Sequence, residues 1–267
     1  MIESASSALE ISTSIAPIRA GRFEARFAQS SDEVRQAQEL RYDVMYAEKG
    51  GRPDLKKVKA KADIDEWDDR AVHIVVIDHD QGCVVGTLRL VCSNHLAEGQ
   101  SFYTETAFDL SGLRNHYPML LELGRFCIQP TRRTGVILML IWKYAMNFIV
   151  ANPIDVMLGC ASFPGTDISA HVDVLSWLYH HNRAPEVLMP RPIIDHIRLD
   201  EIVDQDPPFE AASREVPPLL RGYLKLGAKA GDCAILDPVF NTTFIAIYVD
   251  AKSMLTEDTV LIPTKRR

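Results

Sequence analysis

Three charged side chains interrupt apolar runs in which a buried strand would carry hydrophobic residues. Arg89 lies inside the run 84–91, and Glu122 and Arg125 lie inside the run 119–128. A charge in a buried strand is costly unless it is paired or has a chemical task. The chemistry open to this set is clear: a carboxylate can accept the proton of an attacking amine, and arginines can hold carboxylate or phosphate groups.

Gly124 stands between the two charges of the second run. Positions three apart in a strand point to opposite faces unless a bulge or bend intervenes, and glycine permits such a bend. A strand that splays from its neighbour at Gly124 would open a cleft in the sheet. Its exposed backbone amides would then polarise a carbonyl group. The sequence therefore places a candidate active centre at Glu122 and Arg125, with Arg89 beside them.

The segment Pro130–Gly135 follows this strand directly and contains Arg132 and Arg133. The first backbone N–H groups of a helix are a natural phosphate site, and two arginines strengthen it. Coenzyme A and the phosphopantetheine arm of acyl carrier protein both carry phosphates. An arginine-rich loop before a helix is also common where no phosphate binds, so the segment alone leaves both interpretations open.

Four aspartates, Asp63, Asp65, Asp68 and Asp69, surround Trp67. They predict either an acidic turn ahead of a strand, or a carboxylate cluster that holds a cationic amine or orders the arginines. Their spacing is not that of an EF-hand calcium loop. Just upstream, residues 56–61 include four lysines. This stretch indicates either a solvated mobile loop or a landing site for an acidic carrier protein.

Other kinds of site are absent from the sequence. No dinucleotide, P-loop, nucleophile-elbow or zinc-protease motif occurs. His180 and His181 are adjacent, so on a helix they would point about 100° apart, and we predict no metal site. The net charge of −7 argues against nucleic acid as a partner. The five cysteines form no C-x-x-C pair, which favours reduced core residues and a cytoplasmic protein.

The hydrophobic pattern predicts one mixed α/β domain with a central sheet. The predicted elements are strands over 22–28, 72–77, 83–91, 119–128, 154–160, 232–236 and 242–249, and helices over 31–48, from about 134, and over 217–226. The second helix and its flanking strands would form a right-handed parallel crossover. We expect a flexible leader over 1–20, the domain over 21–252 with an insertion near 165–215, and a tail over 253–267. The most apolar segment, 136–151, is shorter than the roughly 20 residues of a membrane span, although peripheral membrane contact stays compatible with the sequence.

In chain order, seven motifs carry a resemblance to a known family. They are Arg41-Tyr42-Asp43-Val44-Met45-Tyr46, Asp65-Glu66-Trp67-Asp68, Gly86-Thr87-Leu88-Arg89-Leu90, Glu122-Leu123-Gly124-Arg125-Phe126-Cys127-Ile128, and Pro217 to Ala228, followed by Asp237-Pro238 and Phe240-Asn241-Thr242-Thr243. This set resembles the N-acyltransferases that make ornithine lipids, which belong to the GNAT superfamily and are similar to acyl-homoserine-lactone synthases. The C-terminal motifs favour the lipid synthases.

The resemblance implies a GNAT-like domain with a splayed sheet and a specific reaction. A 3-hydroxy fatty acyl group would pass from acyl carrier protein to the α-amine of ornithine, which yields lyso-ornithine lipid. The donor would be bound through its phosphopantetheine arm, with a coenzyme A thioester as the alternative, and no resident cofactor is implied. Two other functions stay open: synthesis of a long-chain N-acyl amino acid or lactone signal, and a non-catalytic module that binds acyl carriers.

The resemblance and the charges described above together imply roles for the residues of the site. Glu122 would take the amine proton, directly or through water, or else act as a structural partner of Arg125. The predicted roles are catalysis for Glu122, Arg125 and Arg89, substrate binding for Arg41, Asp65, Asp68 and Trp67, and phosphopantetheine binding for Arg132, Arg133 and Gly135.

Overall fold

A computed structural model describes residues 11–133, 135–203 and 206–252 of the chain. These residues form a large mixed sheet with helices on both faces. The strands are β1 (Ile18–Ala20), β2 (Phe23–Phe27), β3 (Val72–Asp78), β4 (Cys83–Cys92), β5 (Phe108–Asp109), β6 (Leu120–Ile128), β7 (Val156–Pro164), β8 (Arg191–Pro192), β9 (Ile197–Arg198), β10 (Lys229–Ala230), β11 (Cys233–Asp237) and β12 (Thr242–Asp250). The α-helices are α1 (Ser31–Tyr42), α2 (Leu55–Ala60), α3 (Ser111–His116), α4 (Gly135–Ala151), α5 (Val172–Asn182), α6 (Phe209–Glu215) and α7 (Pro218–Lys225).

The large sheet has the strand order β1-β2-β3-β4-β6-β7-β12-β11-β9, and β10 adds to β12. Within this path β6 and β7 are parallel and the other neighbours are antiparallel. Helix α4 connects β6 to β7, so the predicted strand, helix, parallel strand unit is confirmed. The parallel pairing of β6 with β7 therefore lies where the candidate catalytic charges are.

Strand β3 shows how the sheet separates two layers of core. Ile74 and Val76 face α4 in the larger core, whereas Val75 and Ile77 face α1 in a smaller one. Alternate residues of a strand point to opposite faces, so an unbroken apolar run is required when both faces are covered. The predicted hairpin between β3 and β4 is confirmed, and Gly82 takes a positive φ of 64° in its turn.

The first helix begins at Ser31, as predicted. Ser30 is its N-cap, because the Oγ of Ser30 accepts the N–H of Glu33 at 3.2 Å. The helix does extend to Glu48, but its last part, Asp43–Glu48, is a π-helix. Such wide turns are rare and concentrate at functional sites.

Two predictions made for the N-terminal part are wrong within the described residues. Residues 11–20 are not a flexible leader, because β1 pairs with β2 and Tyr144 donates a hydrogen bond to the carbonyl of Ile15 at 3.1 Å. The lysine-rich stretch is not a loop but helix α2, which Asp54 caps by accepting the N–H of Lys57 at 2.9 Å. Residues 1–10 and the predicted tail over 253–267 lie outside the described residues.

The remaining predicted elements are present with small boundary shifts. Helix α7 and strands β11 and β12 occupy the places predicted for the C-terminal helix and closing strands. The insertion near 165–215 contains α5 and α6 with two short strands between them. No helix in the described part of the chain is long and apolar enough to span a bilayer.

Candidate active site

Strands β6 and β7 separate immediately after Glu122. Their pairing covers only Leu120 to Glu122, which face Val156 to Leu158, although both strands continue for six more residues. At the point of separation the backbones are nearly in contact: a Cβ on Gly159 would lie 2.5 Å from the carbonyl oxygen of Leu123. The splay predicted from the sequence is confirmed, and it opens from Glu122 towards Ile128 and Pro164.

A β-bulge bends β6 on its other side. The register against β4 shifts so that Arg89 faces Gly124 while Thr87 faces Cys127, which places Arg125 and Phe126 opposite Leu88 alone. The bend was predicted at Gly124, but the residue with positive φ is Arg125, at 54°. A non-glycine residue adopts this conformation only where other interactions hold it.

Those interactions are a closed ring of alternating charges beneath the bulge. It consists of Arg41, Asp63, Arg125, Asp65, Arg89 and Asp68, and each side chain is paired with the next. Three positive and three negative groups give the ring no net formal charge. A buried ion pair is tolerated when its charges are compensated, and in the closed arrangement each charge has two neighbours of opposite sign.

Arg41 is fully buried, with 0% of its surface exposed. Its Nη1 and Nη2 donate to the two carboxylate oxygens of Asp68 at 3.0 and 2.7 Å. Asp68 also accepts a hydrogen bond from Arg89 at 2.9 Å. Burial opposes the charge of Asp68, but its bonds to Arg41 and Arg89 outweigh burial and hold the pKa of its carboxyl well below the usual range.

Arg125 is the member of the ring that reaches the splay. Its Nε donates to Asp63 and its Nη2 donates to Asp65, both at 2.9 Å. The guanidinium carbon lies 4.5 Å from the ring centre of Tyr103 and 4.9 Å from that of Phe240. Two aspartates and two aromatic rings therefore fix the side chain and with it the strained backbone of the bulge.

Glu122 is buried, with 3% of its surface exposed, and it forms no ion pair with Arg125. Its two oxygens accept the backbone N–H groups of Tyr103 at 3.0 Å and of Thr104 at 2.7 Å. Burial raises the pKa of the Glu122 carboxyl, although the bonds from Thr104 and Tyr103 oppose that rise. The alternative role of Glu122 as a structural partner of Arg125 is wrong, because Asp63 and Asp65 occupy that place.

The splay leads into a cavity of about 550 Å³. The charged side chains that line it are Lys49, Arg89, Glu122, Arg125, Arg133 and Asp237. Its apolar wall includes Leu88, Leu123, Leu138, Leu219, Leu220 and Ile247. The cavity thus combines a charged region at the bulge with a hydrophobic lining.

Helix α7 supplies part of that wall through a close contact with α4. A Cβ on Gly222 would lie 2.9 Å from the indole of Trp142, so a residue without a side chain lets the two helices meet. Leu219, Leu220 and Tyr223 then line the cavity. This contact gives a physical reason for the glycine in the C-terminal motif.

The predicted substrate-binding residues mostly support the cavity without lining it. Arg41, Asp65 and Asp68 belong to the ion-pair ring and are absent from the cavity wall. Trp67 donates its indole N–H to the carbonyl of Ser101 at 2.9 Å and packs against Tyr103. Of the two interpretations of the aspartates, the ordering of arginines matches the structure, whereas an acidic turn alone does not.

Only part of the predicted phosphate-binding segment lines the cavity. Gly135 begins α4 and lines the cavity together with Arg133. The two terminal nitrogens of Arg133, Nη1 and Nη2, donate to the carboxylate of Glu48, each at 2.6 Å. Arg132 lies outside the wall, 3.6 Å from Asp78. Residue 134, within this segment, is outside the described residues.

Three residues of the site carried no predicted role: Tyr103, Asp237 and Phe240. Asp237 and Phe240 belong to motifs that carry the family resemblance, so their positions were visible although their contacts were not. Tyr103 lies in a loop with no regular pattern. Only the folded chain shows that this loop is held against β6 by Glu122.

These features define the class of the protein. The sheet has parallel central strands that diverge beside a bulge, and residues 40–143 match the family model of the acetyltransferase (GNAT) domain. The chain is a GNAT-fold acyltransferase.

Curated relatives define the family more narrowly. The L-ornithine N(alpha)-acyltransferase of Rhodobacter capsulatus is 36% identical over 87% of this chain and 91% of its own length. That of Agrobacterium fabrum is 33% identical over 88% of this chain and 83% of its own length. The chain belongs to the L-ornithine N(alpha)-acyltransferase family.

Solved structures are also similar to this chain. FeeM, an N-acyl amino acid synthase from uncultured soil microbes, matches with a TM-score of 0.46 and 12% identity over 89% of this chain and 93% of its own. BjaI, a coenzyme A-dependent acyl-homoserine lactone synthase, matches with a TM-score of 0.47 and 14% identity over 84% of this chain and 79% of its own.

Proposed function

We propose that this chain transfers a 3-hydroxy fatty acyl group from acyl carrier protein to the α-amine of ornithine and so forms lyso-ornithine lipid. One observation carries the proposal: the splay between β6 and β7 leads into a cavity that joins Glu122 and Arg125 to an apolar wall. The charged region suits the reacting amine and thioester. The apolar wall suits a fatty acyl chain, because burial of each methylene group is favourable by about 0.8 kcal/mol.

The donor's pantetheine arm would lie in the splay, beside the part of β6 that no longer pairs with β7. Backbone N–H groups directed into this gap are available to the arm and to the thioester carbonyl, where negative charge develops during attack. The phosphate of the arm would lie near Gly135 and Arg133 at the start of α4. Arg133 would exchange Glu48 for the phosphate, since both are anions that a guanidinium binds with two hydrogen bonds.

The reaction needs positioning and the removal of one proton. The ornithine nitrogen forms a bond to the thioester carbon, the carbon–sulfur bond breaks, and the sulfur of the carrier leaves as a thiolate that takes a proton from water. Glu122 accepts the proton that the nitrogen loses, directly or through water. Its position supports this role because its carboxylate lines the cavity and its pKa is raised by burial towards the working range of a general base.

Arg89 and Arg125 act in this account mainly as positioning residues. Their guanidinium groups are already bound by ring aspartates, so they are poor anchors for a substrate carboxylate. Arg125 holds the bulge, and the ring holds Arg125. Arg41, Asp65 and Asp68 were predicted to bind substrate directly. In this proposal they instead hold the arginines of the ring in place.

The acceptor is proposed from the family, whose curated relatives are named for ornithine. A long-chain N-acyl amino acid or lactone synthase would share the splay and the apolar wall but take another acceptor. A non-catalytic carrier-binding module would keep the cavity and form no product. Action in the cytoplasm beside the membrane is part of the proposal, since a carrier protein is a soluble donor and the product is a lipid.

The test is an acceptor panel. Purified protein is incubated with 3-hydroxyacyl carrier protein and with ornithine, lysine, glutamine, homoserine or S-adenosylmethionine, and products are identified by mass. The proposal requires an ornithine adduct with the highest kcat/KM of the panel. A preferred product with another acceptor would support the signal-synthase alternative, and carrier binding without any product would support the non-catalytic module.

A further inference from the structure

The charges that line the cavity are unequally compensated. Arg89 and Arg125 are neutralised by the aspartates of the ring, and Arg133 is neutralised by Glu48. Of the six charged side chains in the wall, this leaves Lys49, Glu122 and Asp237. The carboxylates of Glu122 and Asp237 and the ammonium of Lys49 therefore determine the electrostatic environment of an acceptor in the cavity.

Asp237 has one carboxylate oxygen in use. It is the last residue of β11 and faces Thr242 of β12. Its Oδ1 accepts the N–H groups of Val239 at 2.8 Å and Phe240 at 3.1 Å, which fixes the side chain in the turn. Within residues 11–133, 135–203 and 206–252, the carboxylate has no further hydrogen bond and no ion pair. A half-buried carboxylate that is oriented and uncompensated is suited to bind a cation.

The two uncompensated carboxylates lie near opposite ends of one side chain, Tyr103. The backbone N–H of Tyr103 donates to Glu122 at 3.0 Å. At the other end, burial raises the pKa of the Tyr103 phenol to about 12, and the nearby charge of Asp237 adds to that rise. Burial likewise raises the pKa of the Cys160 thiol to about 12, with contributions from both Glu122 and Asp237. Both carboxylates line the same cavity, with Glu122 at the backbone of Tyr103 and Asp237 close enough to its phenol to influence it.

We infer that Asp237 forms a subsite for the cationic side-chain amine of the acceptor. The inference rests on the proposed function, in which the α-amine of the acceptor reacts beside Glu122. A diamino acid could then place its second ammonium group at Asp237, with its carbon chain alongside Tyr103. An acceptor with a neutral side chain would leave the Asp237 carboxylate unpaired in the occupied cavity, and such a loss discriminates strongly between substrates.

The direct test compares ornithine with norvaline, which has the same five-carbon chain without the terminal amine. We expect the wild type to prefer ornithine and Asp237→Asn to lower the ornithine-to-norvaline ratio of kcat/KM by about 30-fold or more. Asparagine keeps the Oδ1 acceptor for Val239 and Phe240 and removes only the charge. An unchanged ratio in this variant, with ornithine still preferred, would overturn the subsite and leave the proposed function standing.

A matched control is Asp109→Asn. Asp109 is exposed and also fixes a turn, since its Oδ1 accepts the N–H of Ser111 at 2.8 Å, but it does not line the cavity. Its substitution should keep the wild-type acceptor ratio, and a ratio lowered as far as in Asp237→Asn would contradict the assignment. If the wild type acylates norvaline as efficiently as ornithine, the subsite is overturned and the proposed function stands, whereas the absence of any ornithine adduct would overturn the proposed function.

A second variant should increase the activity with a shorter diamino acid, which a purely structural role of Asp237 would not produce. Asp237→Glu carries the same charge one methylene further into the cavity, so 2,4-diaminobutyrate should improve relative to ornithine. Parallel loss with both diamino acids would contradict a charge-binding subsite. This measurement decides the question even if Asp237→Asn folds poorly.

Discussion

The guanidinium of Arg125 and the carboxylate of Asp65 meet across 2.9 Å between Nη2 and Oδ2. This pair joins the bulge of β6 to the acidic segment before β3, two parts of the chain that are 60 residues apart. Asp65 also accepts a hydrogen bond from Arg89, so it bridges two of the three arginines of the cavity wall. The shape of the cleft therefore depends on charges that lie behind it.

Replacement of Asp65 by asparagine should test this dependence. It would leave Arg89 and Arg125 without one anion in a buried site, and broken buried pairs of this kind cost about 3 kcal/mol or more. We expect that loss in the free energy of unfolding, measured with urea, together with lower activity. Glu39→Gln breaks an exposed pair with Arg35 and should cost about 0.5 kcal/mol. Equal losses in the two variants would contradict the importance of the ring.

The ring also predicts sensitivity to acid. Burial opposes the charges of Asp63 and Asp68, but their arginine partners outweigh it and lower both pKa values from the usual 3.8. A depressed folded-state pKa contributes stability above the unfolded value, and this is lost as pH falls towards the folded value. The free energy of unfolding should thus hold above about pH 5 and decline steadily below it. A urea series at several pH values that showed no decline, or an undiminished slope in Asp68→Asn, would contradict this account.

The sequence predicts the strands that form the cleft better than the side-chain contacts within it. The continuous apolar runs of β3 and β4 predict the buried sheet, and the charges in β6 locate the splay, because a buried strand tolerates Glu122 and Arg125 only for a reason. The pairing of Arg125 with Asp63 could not be predicted, since it joins residues 62 positions apart. The partners of Glu122 could not be predicted for the same cause, since they are backbone amides of an irregular loop. The bend was predicted at Gly124 from its residue type, whereas the residue with positive φ is Arg125, which two aspartates hold.

Glu122→Gln should reduce turnover on the order of 10²-fold if Glu122 is the base. Because burial raises its pKa above the ordinary 4.5, wild-type kcat should fall with acid as pH drops through that raised value, and the variant should lack this limb. The matched control is Glu105→Gln, since Glu105 accepts the N–H of Phe102 in the same loop but does not line the cavity. Full turnover in Glu122→Gln, or an equal loss in Glu105→Gln, would exclude a base role.

Gly159→Ala should disturb the splay where it begins. The new Cβ would approach the carbonyl oxygen of Leu123 to 2.5 Å, so the strand backbones must move apart. Overpacking of this kind costs about 1–3 kcal/mol, and activity should fall with it. Gly231→Ala is the control, because a Cβ there would meet its nearest atom at 3.6 Å. Thermal unfolding of both variants measures the difference, and equal midpoints would show that the close contact is unimportant.

We propose that acyl transfer to the α-nitrogen of ornithine takes place in the cleft between β6 and β7. The most direct measurement is the mass and fragmentation of the product that the purified protein makes from 3-hydroxyacyl carrier protein and ornithine. We expect a single adduct with the acyl group on the α-nitrogen, and its loss in Glu122→Gln. Acylation of the δ-nitrogen, or consumption of the donor thioester without any ornithine adduct, would contradict it.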